Sequence, residues 1–131
     1  MTKGLTTLIA ASLSAIVLTY SPAIAAEKHV HTGKHGGKII ESGHHHVEIV
    51  AKDGVLELHV NGEDMQPEDV KDAKATAAIL FDGKKEDITL AADPANYLKG
   101  TGAFKAAKGT IIVVTLTMPG HTPEQARLKI D

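Results

Sequence analysis

The chain has 131 residues, 43% hydrophobic, 23% charged and 3% aromatic, with a net charge of −2 when histidine is neutral. That length holds one domain, and a mildly acidic balance supplies no basic surface for a phosphate backbone, which excludes nucleic acid as the expected partner. There is no cysteine, so disulfide bracing, thiolate catalysis and thiolate metal ligation are excluded as well.

Residues 1–25 read as a secretory signal peptide. Lys3 is the only charge before Glu27, Leu5–Tyr20 is an apolar run, and Pro22 precedes Ala23-Ile24-Ala25, with small residues at alternate positions before a cut. Residues 4–26 are long enough to span a bilayer, but their Ser and Thr content and the closing small-residue pattern favour cleavage after Ala25, with Ala26 the alternative. The exported part then has no membrane attachment, and since no Cys follows the apolar run it is not a lipoprotein.

Residues 26–38 are rich in Gly, Lys and His without apolar periodicity, and read as a flexible amino-terminal arm. The remainder, 39–131, is a succession of short β-type segments. Val47, Ile49 and Ala51 alternate with polar neighbours, Asp53-Gly54 intervenes, and Leu56, Leu58 and Val60 resume the alternation. This is a hairpin signal, and a two-residue loop faces Ala51 with Leu56, Ile49 with Leu58 and Val47 with Val60. Every apolar side chain then shares one face.

Residues 75–81 and 86–91 suggest a second hairpin around a four-residue loop, Asp82 to Lys85, setting Ile79 against Ile88 and Ala77 against Leu90. A helix over 67–81 opening at Pro67 is the competing reading. Ala92–Lys108 is irregular, with Tyr97, Leu98 and Phe104 as core plugs. Thr110–Met118 is a β-branched run that reads as a central strand, closed by Pro119-Gly120, and Glu124–Ile130 alternates with Ala126, Leu128 and Ile130 inward. The fold class expected is all-β, a small antiparallel β-sandwich of immunoglobulin-like size.

The chemistry rests on histidine. There are eight, all beyond residue 25, and six fall between His29 and His46. The hairpin register places Glu48 opposite His59 on the face away from the apolar set, with His46 two residues before Glu48 and His44 continuing the row. Opposed side chains have Cβ atoms ~5 Å apart. His46, Glu48 and His59, with His44 as a fourth, therefore suit zinc or copper(II). His45 points the other way and reads as structural. In the arm, His29, His31 and His35 form a second set of donors, freed by Gly36-Gly37 to fold back. Cleavage after Ala26 would put His29 third in the mature chain, where amine, amides and imidazole chelate copper(II) or nickel(II). A third group, Met118 with His121, offers a thioether and an imidazole to copper(I). No Gly-x-Ser-x-Gly elbow, helical His-Glu-x-x-His or glycine-rich phosphate loop is present, so no enzymatic activity is expected.

His35-Gly36-Gly37, the stretch Gly43-His44-His45-His46-Val47-Glu48, the glycine-bounded hairpin and Pro119-Gly120-His121 together resemble the small periplasmic metal-binding domains of bacterial heavy-metal resistance systems. Similar domains are attached to the periplasmic adaptor subunits of efflux pumps. The resemblance covers roughly residues 35–130. It implies a periplasmic β-sandwich that binds a metal ion and buffers it for, or hands it to, an efflux component. The chain departs from the adaptors in having no coiled-coil hairpin or barrel segments. The expected function is that of a non-enzymatic zinc or copper buffer or chaperone, binding more weakly as pH falls through ~6.5 because ligation needs neutral imidazole. The alternative is a sandwich-type interaction module whose histidines sense pH.

Overall fold

The computed structural model describes residues 30–131; the stretch read as a signal peptide, residues 1–25, and His29 lie outside them. Nine strands occur among the described residues, in the order β1 (His31–Thr32), β2 (Lys38–Ser42), β3 (His45–Lys52), β4 (Val55–Asn61), β5 (Lys74–Phe81), β6 (Lys84–Asp93), β7 (Tyr97–Thr101), β8 (Ile111–Thr117) and β9 (Glu124–Lys129). All pairings are antiparallel and run edge to edge as β1-β2-β3-β4-β7-β6-β5-β8-β9. The all-β class read from the sequence is the one the chain adopts.

The first hairpin follows from its turn. Gly54 has φ +72°, which a glycine adopts without the steric cost of a Cβ, and the register pairs Val47 with Val60, Ile49 with Leu58, Ala51 with Leu56 and Glu48 with His59. The alternation of β-branched and polar residues thus lands as expected, and Val47, Ile49, Leu56, Leu58 and Val60 are all buried.

The second hairpin differs from the sequence reading. Its loop has two residues, not four: Phe81 pairs with Lys84, Ile79 with Glu86, Ala77 with Ile88 and Ala75 with Leu90. Asp82 (φ +49°) and Gly83 (φ +70°) are both left-handed, the geometry of a type I′ turn whose twist matches a hairpin. Opposing Ile79 with Glu86 is tolerated because the Glu86 carboxylate accepts the Ala103 N–H at 2.8 Å. The segment that competed as a helix is a loop followed by β5. Asn96 ties that loop down, accepting the Val70 N–H through Oδ1 and donating from Nδ2 to the Glu68 carbonyl, each at 3.0 Å.

The stretch read as irregular, Ala92–Lys108, includes the end of β6 and all of β7. β7 inserts between β4 and β6, pairing Leu98 with Leu58 on one side and with Ala92 on the other. Leu98 and Phe104 are buried, as expected of core plugs. β6 serves both halves of the sheet: residues up to Leu90 pair with β5, and Ala91–Asp93 pair with β7. The sheet curls so that β2 approaches β9 without a backbone ladder between them. One apolar cluster fills the interior, drawing Leu56, Leu58 and Leu98 from one half and Ile112, Val114 and Leu116 from the other.

β3 is covered on both sides. One face meets that core. On the other, Glu48 and Val50 are also buried, beneath a turn formed by Gly33–Gly37. That turn is closed by Gly33 N–H to the Gly37 carbonyl at 2.9 Å and Gly36 N–H to the Gly33 carbonyl at 3.2 Å. Part of the stretch read as a flexible arm is therefore fastened onto the sheet.

Candidate metal-binding site

The cross-strand pair Glu48–His59 forms in the expected register, but Glu48 does not stand on an open face. It is 2% exposed. Oε1 accepts the backbone N–H groups of His35 and Gly37, at 2.8 and 2.9 Å, and Oε2 accepts Nδ1–H of the His35 ring at 2.8 Å. Burial alone would raise this carboxyl group; hydrogen bonds from the His35 ring and the two amides, with the charge of His35, outweigh it and hold the pKa below its ordinary 4.5. Glycine is required here, because a Cβ on Gly33 would collide with the Glu48 carboxylate and one on Gly37 with the Ile49 carbonyl.

Glu48 therefore fastens the arm and fixes the tautomer of His35. With Nδ1 donating to a carboxylate, a neutral ring keeps its lone pair at Nε2. The ring lies flat on His59, centroids 3.6 Å apart and planes 5° from parallel, and His59 in turn stacks on Tyr97 at 5.2 Å. His59 Nε2 is buried and has no hydrogen-bond partner. It stands 3.6 Å from Glu57 Oε2, beyond hydrogen-bond range. Burial, then the neighbouring His35 charge, press the His59 pKa below 6.5, against the opposing pull of Glu57 and Glu48.

The other candidate ligands distribute as follows. His46 donates Nδ1–H to the Gly62 carbonyl at 3.1 Å, with Nε2 3.7 Å from Glu41 Oε1, and so is held by these groups rather than by the Glu48–His59 pair. His44 lies in the β2–β3 turn and donates to Glu63 at 3.1 Å rather than continuing the row. His31 is in β1, opposite Ile39, and His29 is outside the described residues. His45 is buried and donates Nδ1–H to Glu124 at 2.7 Å, which fits its structural reading. Met118 is buried in the core, so its thioether does not join His121.

Among the described residues no group of three or more His or acidic side chains is placed to hold a metal ion. Two residues escaped the sequence reading. Glu57 carries a signal that would have found it, since Glu57-x-His59 places both on one strand face. Glu124 carries none, being 79 residues from His45. Comparison with family models, with curated proteins and with solved structures finds no match to this chain.

Proposed function

We propose that this protein is a periplasmic, non-enzymatic metal-binding protein that buffers or carries zinc or copper(II), with His59, His35 and Glu57 as ligands and Glu48 as the group that orients His35. One observation carries this reading: a buried imidazole nitrogen, His59 Nε2, lacks a hydrogen-bond partner and stands 3.6 Å from a carboxylate oxygen. Orphaned buried nitrogens are rare and call for an explanation. An imidazole and a carboxylate that share a zinc ion at ~2.0–2.2 Å each stand roughly 3.3–3.8 Å apart, so an ion between them would satisfy both. His35 Nε2 supplies the third donor when its ring tilts off His59, because two coplanar stacked imidazoles cannot both point at one ion. The Glu48–His35 hydrogen bond is the carboxylate–histidine arrangement that fixes the tautomer of metal ligands.

The two halves of the curled sheet, facing one another across one core, serve in this reading as the leaves of a small sandwich that holds the site rigid. The pattern of residues resembling metal-resistance domains agrees with an efflux component as the recipient. The test is native mass spectrometry and calorimetric titration with zinc and copper(II), on parent and His59→Ala. A retained ion in the parent, and binding at least 10-fold weaker in the variant, is the expected result. Equal binding by both would overturn the site. A parent that stays metal-free at saturating zinc and copper would favour the interaction-module reading instead.

A further inference from the structure

The turn that opens β3 and the turn that joins β8 to β9 meet where the curled sheet brings β2 up to β9. The second is built by Met118-Pro119-Gly120-His121: Pro119 presets φ, Gly120 takes φ +78°, and His121 N–H donates to the Met118 carbonyl at 3.0 Å. The first turns at Gly43, φ +57°, whose missing side chain leaves room for the Glu124 carboxylate. Glu124 locks the two together, Oε1 accepting His44 N–H at 3.1 Å and Oε2 accepting His45 Nδ1–H at 2.7 Å. Three imidazoles from two distant segments gather as a result. The ring of His121 lies 5.0 Å from that of His45, nearly perpendicular, and 6.0 Å from that of His44 at 52°.

We propose that this turn cluster is a second binding site for a divalent transition-metal ion of borderline softness, zinc or copper(II), with His44 and His121 as ligands and Glu63 as the carboxylate that orients His44. With ring nitrogens ~2.0–2.1 Å from the ion, two imidazoles sharing it tetrahedrally have centres roughly 5 Å apart, and in line somewhat over 6 Å. The 6.0 Å between His44 and His121 falls in that range, and the rings are tilted by 52°, unlike the flat stack of His35 on His59. His44 Nδ1 donates to Glu63 at 3.1 Å, which leaves Nε2 as the lone-pair nitrogen. Both of these side chains are well exposed. His45 and Glu124 are positioning residues: they hold the backbone of His44 against the β9 turn. The buried thioether of Met118 is out of reach, which makes a soft monovalent ion the wrong guest.

The site stands independently of the one built on His59. Zinc is titrated into the full chain and followed by imidazole 15N NMR and by calorimetric stoichiometry, alongside His44→Ala/His121→Ala and His59→Ala. The expected result is that the ring nitrogens of His44 and His121 shift on saturation. The double variant binds one ion fewer while melting as the parent does in chelator, and His59→Ala leaves these shifts intact. Glu63→Gln weakens this site by about 10-fold, the usual scale for a carboxylate that orients a ligating histidine. Unshifted His44 and His121 nitrogens at saturating zinc, or an unchanged stoichiometry in the double variant, would overturn the proposal. Loss of one ion here with no loss in His59→Ala would retain it and reject the other site.

Discussion

Removing the Glu48 carboxylate should detach the arm from the sheet and cost the protein a large part of its stability. Glu48→Ala deletes an acceptor of three hydrogen bonds, at 2.8, 2.9 and 2.8 Å, in a side chain that is almost fully buried. A hydrogen bond to a charged group contributes about 1.5–3 kcal/mol. Simple addition overstates the total, because the His35 ring is half exposed and the freed residues recover chain entropy. The expected loss is about 3–5 kcal/mol, the scale of breaking a buried ionic contact. At a urea m-value of about 1.5 kcal/mol/M this lowers the midpoint by roughly 2–3 M. Glu48→Gln keeps one acceptor oxygen for the two amides and should lose only about 1–2 kcal/mol. Hydrogen exchange localises the effect: the His35 and Gly37 amides lose protection in Glu48→Ala and keep most of it in Glu48→Gln. A Glu48→Ala protein less than about 1 kcal/mol weaker, with both amides still protected, would refute the role assigned to this carboxylate.

Two further outcomes are expected. Gly37→Ala, whose Cβ would meet the Ile49 carbonyl, should destabilise by about 1–3 kcal/mol and expose the same amides, whereas Lys34→Ala should melt as the parent does. In chelator, stability should fall in two stages as pH drops, first below about 6.5 and then below about 4.5, with the raised pKa of exposed His44 opposing the first. His59 has a folded pKa below 6.5, so its contribution is complete above 6.5 and is lost as pH drops through the folded value. Glu48 and Glu124 have folded pKa values below 4.5, so theirs is present above 4.5 and is lost as pH drops through those lower values. Urea titrations at half-unit pH steps check this, and a flat profile across the range would contradict it; Glu48→Gln should flatten the limb below about pH 4.5.

The first hairpin was legible to the residue because everything that fixes it is local: a glycine that turns, and an alternation that has only one register with all apolar side chains inside. The second hairpin shows where local reasoning stops. A longer loop looked better because it avoided setting Ile79 against Glu86, and the partner that makes that pairing acceptable, Ala103 N–H, comes from beyond β7. β7 itself, five residues of Tyr-Leu-Lys-Gly-Thr, has no alternation strong enough to announce a strand, and becomes one by filling the place between β4 and β6. The site followed the same division. The pairing of Glu48 with His59 was visible in the register, while the burial of Glu48 was not, since its cover comes from glycines whose composition suggests freedom. Their lack of side chains is what lets them close over a carboxylate.

The seam between β2 and β9 has a bearing on self-association. Because the curled sheet does not close there, two strand edges are left with backbone groups to offer, the kind of surface on which another chain can add a strand and begin an aggregate. Among the described residues β1 shields β2 only at Lys38 and Ile39. The groove along this seam is flanked by Lys38, Lys52, Arg127 and Lys129, cations whose mutual repulsion penalises the approach of an identical edge. Substituting Arg127 or Lys129 by an apolar residue would leave the fold in place and remove its guard.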